Sequence, residues 1–187
     1  MALDPLDKWE KRLLSMGQSK SVVAGSKELA NFYGDMGDKV QAGAAGKEGI
    51  FTFNKEIFAT QLMSMGFGPE PSSSVWAAAV ANAWNNAVGL SIIKPGTVSN
   101  PIWTASSVDS LTLPIGSATI TTASAAKGIL MAGLIASSPA FKTDSKKGIK
   151  LMAKAFYDAT KLFSFLTIGL VITPGGPVPA PIPTEAK

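Results

Sequence analysis

The sequence predicts a helix-dominated α+β protein. It reads as about five to six helices, a small β-sheet or hairpin region at roughly residues 90–122, and an extended Pro-rich C-terminal arm. Three observations carry this. Apolar residues recur at helical spacing between capping residues and glycines over most of residues 4–89 and 124–166. Short β-branched runs broken by Pro and Gly fill residues 91–122. From Pro177 onward, proline alternates with other residues. Residues 1–173 are expected to form a single compact domain, with residues 1–50 peripheral to it, and residues 174–187 to form the arm. A chain of 187 residues is long enough to bury a core without covalent staples.

The first helix follows Asp4 and Pro5, read as N-cap and first helical position. Its stripe is Leu6, Trp9, Leu13 and Met16, and Gly17 is its stop. A second helix is predicted from about Ser21 to Tyr33, ending at Gly34, and residues 34–49 read as a Gly-rich loop. Asn54 caps a short helix containing Ile57, Phe58, Leu62 and Met65. Ser74 caps another, through Val75, Trp76, Val80, Trp84 and Val88, with Gly89 as C-terminal stop. Strand candidates are Ile92–Ile93, Ile102–Thr104, Leu111–Leu113 and Ala118–Thr122. A further apolar helix starts at Ser124 or Ala125 and is expected to end at Ser137, Ser138 and Pro139. The last helix, capped by Thr143, Asp144 or Ser145, carries the stripe Ile149, Met152, Phe156, Ala159, Phe163 and Leu166. Lys147, Lys150, Lys154, Asp158 and Lys161 lie on its other face.

Seven positions match at a spacing of 80 without a gap: Gly89, Leu90, Ile92, Gly96, Val98, Pro101 and Ile102 meet Gly169, Leu170, Ile172, Gly176, Val178, Pro181 and Ile182. Two readings stand, an internal duplication or two independent helix-Gly-strand endings.

Charge is uneven. Residues 1–70 hold eight basic and nine acidic groups, residues 71–126 only Lys94 and Asp109, and residues 127–187 eight lysines and three acids. The whole chain is 16 % charged, against about 25 % in an ordinary soluble domain. The charge-poor segment is either core or surface covered by neighbouring subunits, whose interfaces are depleted of charge at their centres. Coverage by neighbours is the expectation.

With no Cys and no His, the chain has no disulfide, no thiol nucleophile, no thiolate or imidazole metal site and no imidazole base. Gly43–Ala44–Ala45–Gly46–Lys47–Glu48 fails as a phosphate loop, because its glycines are too close and Glu48 replaces the Mg-binding hydroxyl. Asp35 and Asp38 lack further carboxylates at calcium-loop spacing and read as a solvated turn. Ser124–Ala125–Ala126–Lys127 has the S-x-x-K spacing of a Ser/Lys hydrolase, but the S-D-N and K-T-G partners are absent. A hydrolase using Ser/Lys or carboxylates is therefore a remote alternative, and no enzyme, cofactor or metal is expected.

The lysines of the last helix form an interrupted basic face without Arg, so nucleic acid is not an expected partner. The Met1–Leu14 segment is too charged for a signal peptide. The apolar runs Gly128–Ala136 and Leu162–Ile172 are shorter than the roughly 18 residues a spanning helix needs. The arm is pre-extended, and its Val178 and Ile182 favour an apolar surface over solvent. Interaction residues are expected at Val178, Pro179, Pro181 and Ile182 of the arm, and at Ile92, Val98, Ile102 and Trp103 of the strand region.

This combination resembles the structural virion proteins of tailed bacteriophages, which are often Cys-free, poor in charge, rich in Gly, Ala, Ser and Thr, and end in extended arms. The resemblance is one of texture over the whole chain. It implies a non-catalytic assembly subunit of a tail, baseplate, neck or capsid, located in the virion after assembly in the host cytoplasm. The implied partners are copies of itself and other structural subunits. The alternative is a membrane-active protein that inserts its apolar region 128–172.

Overall fold

Helix boundaries in the computed structural model follow the capping chemistry closely at three places. The structure describes residues 3–16, 21–38, 40–42, 49–65, 73–95, 103–104, 119–120, 123–173 and 176–185. Ser21 opens helix α2 (Val22–Gly37), its hydroxyl accepting from Ala24 N at 3.1 Å. Asn54 opens α3 (Lys55–Ser64) by accepting from Ile57 N at 3.1 Å. Asp144 opens α6 (Ser145–Thr160), accepting from Lys146 N and Lys147 N at 2.9 and 3.1 Å. Each satisfies amides that a helix start leaves without an internal partner. The other helices are α1 (Leu6–Leu14), α4 (Ser73–Gly89) and α5 (Ala123–Thr143). Helix α4 begins at Ser73, so Ser74 lies inside it instead of capping it. Pro5, extended at ψ 153°, takes the N-cap position of α1 that the sequence assigns to Asp4. Asp4 instead anchors the entry, its carbonyl accepting from Trp9 Nε1 at 3.0 Å and its carboxylate from Lys8 at 2.8 Å.

Two helices run past their expected stops. Helix α2 continues through Gly34 because that glycine serves a close approach: a Cβ there would lie 1.9 Å from Lys55 Cε. Helix α5 continues through Pro139 to Thr143, although the proline removes one ladder bond. Tertiary packing holds the last turn. A Cβ on Gly133 would sit 2.5 Å from the Ala155 Cβ, and the Phe141 ring lies 2.6 Å from where a Gly148 Cβ would be. These contacts run in opposite order along α5 and α6, so the two helices form an antiparallel hairpin.

The last helix stops early instead. It ends at Thr160, Phe163 is buried just beyond it, and Leu166 belongs to a strand.

Strands β1 (Gln41–Ala42), β2 (Gly49–Thr52) and β3 (Ile92–Pro95) form one antiparallel sheet, with Phe51 opposite Ile93 and Thr52 opposite Ile92. Residues 34–49 are therefore partly helix and partly strand. A second sheet is built on β6 (Ser164–Thr173). It pairs antiparallel with β7 (Gly176–Glu185) along its whole length, parallel with β4 (Trp103–Thr104) and antiparallel with β5 (Thr119–Ile120). The strand candidates between 90 and 122 thus join two different sheets, each completed by a segment distant in sequence. Leu111–Leu113 lies outside the described residues. Of the positions matched at a spacing of 80, Gly89 ends α4 while Gly169 sits within β6, Ile92 and Ile172 are both in strands, and Gly96, Val98, Pro101 and Ile102 lie outside the described residues.

The helices enclose an aromatic core. Tyr33 stands at its centre, with ring centroids of Phe53, Phe156, Trp84 and Trp9 at 4.5, 5.5, 5.6 and 6.0 Å. Trp84 stacks on Phe163 at 5.7 Å, and Phe51 meets Phe163 edge-on at 5.6 Å. Edge-to-face geometry of this kind adds to the gain from burial alone. The Thr160 hydroxyl donates to Phe156 O at 2.8 Å, so the bond of 3.0 Å between Tyr33 and Thr160 is donated by Tyr33.

Candidate interaction surfaces

The carboxylate pair Asp35 and Asp38 is occupied in structural roles. Asp35 lies within α2, where Arg12 donates to it from Nε at 3.0 Å and Nη2 at 2.6 Å, and Lys55 from Nζ at 3.3 Å. Partial burial opposes its ionisation, but the hydrogen bonds from Arg12 and Lys55 outweigh it and hold the carboxyl below its ordinary value. Asp38, directly after α2, accepts Phe53 N at 2.7 Å and ties the helix end to the β2–α3 junction. These two residues are thus a helix-end anchor and not a solvated turn. Among the described residues no three His, Cys, Asp or Glu side chains come together as a metal site. The lookalike phosphate loop, Gly43–Glu48, lies outside the described residues.

The lysine face of α6 is broken by partners. Lys150 reaches Glu10 at 3.7 Å, Lys154 pairs with Asp158 one turn on, and Lys161 lies 5.5 Å from the Tyr157 ring centroid.

The residues expected to mediate interaction do not converge on one site. Ile92 is in β3, opposite Thr52 in the first sheet. Trp103 is in β4, opposite Val171, and Val178, Pro179, Pro181 and Ile182 are in β7 of the same second sheet. Val98 and Ile102 lie outside the described residues. The C-terminal segment is extended as expected, but it lies along its own β6 and not across a neighbour. The sequence hides this partner, because Phe163 and Leu166 continue the apolar stripe of the last helix although α6 ends at Thr160 and β6 begins at Ser164.

The register explains how a strand with a proline at every second position can pair at all. Pro177, Pro179, Pro181 and Pro183 stand opposite Ile172, Leu170, Ile168 and Leu166, while Val178, Ala180, Ile182 and Thr184 stand opposite Val171, Gly169, Thr167 and Phe165. In an antiparallel pair only alternate residues point their amides at the partner. The donors facing β6 are therefore the amides of the second set. The prolines occupy the outward positions, where they offer carbonyls and no N–H. From 177 to 183 the outer edge cannot donate to a further strand, so the sheet is capped on that side.

On the helical side, α5 exposes an uncharged face. Ile129 and Ile135 are 44 % and 38 % exposed, and Ala125, Gly128, Ala132 and Ala136 are exposed beside them. A Cβ added to Gly128 would meet nothing within 4 Å. The opposite face, Ala126, Leu130, Leu134 and Ser137, is buried. Between Lys127 and Lys142 the helix carries no charge, so it is apolar on both faces. Residues 125–136 alone extend about 17 Å. The sequence showed an apolar helix here but not which side would remain open. The signal was present in two interleaved apolar stripes, only one of which a core can use.

No protein family, no curated protein and no solved structure matches this chain.

Proposed function

We propose that the chain is a non-catalytic structural subunit of a large assembly, with copies of itself and other structural subunits as partners. A tailed-phage virion is the setting that its composition suggests. The observation that carries this reading is the exposed face of α5. A subunit working alone keeps its surface charged, and a continuous uncharged helix face with two isoleucines is what an assembled subunit covers. The capped edge of β7 is consistent with it: a chain at high local concentration in an assembly must keep its sheet edges from pairing at random.

The membrane alternative has less support. No helix among the described residues is long and apolar enough to cross a membrane. Of the region 128–172, residues 164–172 are strand, paired along their whole length with β7 and on the other side at Phe165–Leu166 and Val171–Ile172, and helical insertion would break those ladders.

The test is self-association measured by light scattering coupled to gel filtration over a range of concentrations. Ile129→Glu with Ile135→Glu should abolish association and leave the melting temperature unchanged. Unaltered association, or a monomeric parent at every concentration that also shows salt-sensitive vesicle binding lost on replacing Lys147, Lys150 and Lys154 with Gln, overturns the proposal in favour of the alternative.

A further inference from the structure

From Ala125 to Pro139, the exposed residues of α5 are placed symmetrically about Ala132. Ile129 and Ile135 lie three residues before and after it, Gly128 and Ala136 four, and Ala125 and Pro139 seven. At about 100° per residue, Ala125, Ala132 and Pro139 form the middle of the face. Ile129 and Ala136 share one flank, and Gly128 and Ile135 share the other. Any helical stripe has positional symmetry of this kind. Here residue size follows it too, with a bulky residue and a small one on each flank, on opposite sides of the centre.

We propose that α5 packs antiparallel on the α5 of a second copy, about a two-fold axis passing between their Ala132 residues. This rests on the reading of α5 as an assembly face and specifies what covers it. A two-fold interface requires a surface that complements itself. Rotation about this axis keeps each flank on its own side and reverses heights along the helix. Ile129 then comes within about 1.5 Å of the level of the partner's Ala136, and Ile135 equally close to that of the partner's Gly128. Each isoleucine faces a small residue. The space over Gly128 is open, since a Cβ added there would meet nothing within 4 Å in its own subunit. Ala132 on Ala132 at the centre lets the helix axes approach to about 8 Å, the close end of the range for packed helices.

Charge sets the direction. Lys142 follows the face at its C-terminal end and is exposed. Antiparallel pairing holds the two Lys142 residues about 30 Å apart along the axis, whereas parallel pairing sets them at one level. Antiparallel helix dipoles also bring opposite ends together. The strip is about 21 Å long and 10 Å wide, small beside the roughly 800 Å² per partner of a stable interface. The pair is therefore weak alone and adds to other contacts in an assembly.

The test is disulfide trapping, which captures weak pairs, and the chain has no Cys of its own. Under mild oxidation the Ala132→Cys chain should form interchain disulfides, because its two sulfurs meet at the axis. The Ala125→Cys and Pro139→Cys chains should each bridge at least about ten-fold more slowly, since like positions lie about 21 Å apart. Mixing those two chains should give a rapid mixed disulfide. Gly128→Leu added to Ala132→Cys should slow bridging about ten-fold by filling the seat of Ile135, although it makes the face more apolar. With open space around Gly128, its melting temperature should not fall. Equal rates for Ala132→Cys and Ala125→Cys, no mixed disulfide, or unslowed bridging with Gly128→Leu overturns the proposal. If the parent still self-associates and the double glutamate substitution abolishes it, the assembly reading stands with a different geometry. If the parent does not self-associate either, both fall.

Discussion

Helices α4 and α5 have similar compositions and opposite fates. Helix α4 carries no charge in 17 residues, and α5 only Lys127 and Lys142 in 21. Helix α4 packs against α3, α5 and strand β5, and buries Ala77, Val80, Ala81, Ala83, Trp84, Ala87 and Val88. Its exposed side carries Asn82 and Asn86, which hydrogen-bond readily to water. Helix α5 packs against α4 and α6, buries one stripe, and leaves alanines, a glycine and two isoleucines outside. Missing charge therefore indicates that a helix is covered, without saying by what. For α4 the covering material is the subunit's own core, which corrects the expectation that residues 71–126 as a whole are shielded by neighbours. The uncovered charge-poor face among the described residues is that of α5.

One substitution placed in both helices breaks this comparison if it is wrong. Ala81→Glu forces a carboxylate into a fully buried site and should cost several kcal/mol, a large share of a typical domain stability of about 5–15 kcal/mol. Ala132→Glu on the exposed face of α5 should change stability by no more than about 0.5 kcal/mol while weakening self-association. Urea unfolding of both variants checks this. Equal losses would erase the distinction between the helices.

A second experiment sharpens the claim that the core is organised around the contact of α4 with Tyr33. Tyr33→Phe removes the bond to Thr160 and should cost about 1 kcal/mol at neutral pH. Burial pushes the Tyr33 hydroxyl well above its ordinary pKa of 10.0. A folded-state pKa above the unfolded value means that its contribution is complete below pH 10. It is then lost progressively as the pH rises beyond that and only the unfolded chain ionises. Unfolding measured between pH 8 and 11 should show this alkaline fall in the parent and a shallower one in Tyr33→Phe. Parallel curves would contradict it.

The last test concerns the outer edge of β7. Pro179→Ala with Pro181→Ala restores two outward amides. It should cost about 0.4–1 kcal/mol per site by freeing the unfolded chain. The folded protein should also gain a sheet edge able to pair, seen as increased light scattering at high concentration. Absence of any new association would mean that the prolines do not guard that edge.

Much of the helical fold was legible because it is local. Ser21, Asn54 and Asp144 satisfy amides within three residues of themselves, and the stripe Trp9–Leu13 needs only helical spacing to be recognised. The errors fall where a distant segment decides. Gly34 and Pro139 look like stops until Lys55, Ala155 and Gly148 are brought against their helices. The short strands near residue 100 look like one sheet until β2 and β6 claim them. The open face of α5 was not legible, since it depends on which of several apolar stripes the core consumes.

Residue order alone was enough for the helix-dominated class, the cap residues Ser21, Asn54 and Asp144, the extended C-terminal segment and the exclusion of thiol and imidazole chemistry. Backbone amides, chain stiffness and side-chain pKa values act over one or two turns and leave their mark in composition and spacing. Tertiary packing, in contrast, made α4 core while α5 keeps an open face, and paired β7 with β6 through its non-proline amides. Each of these is set by which surfaces meet, and burial depends on area removed from water without regard to distance along the chain.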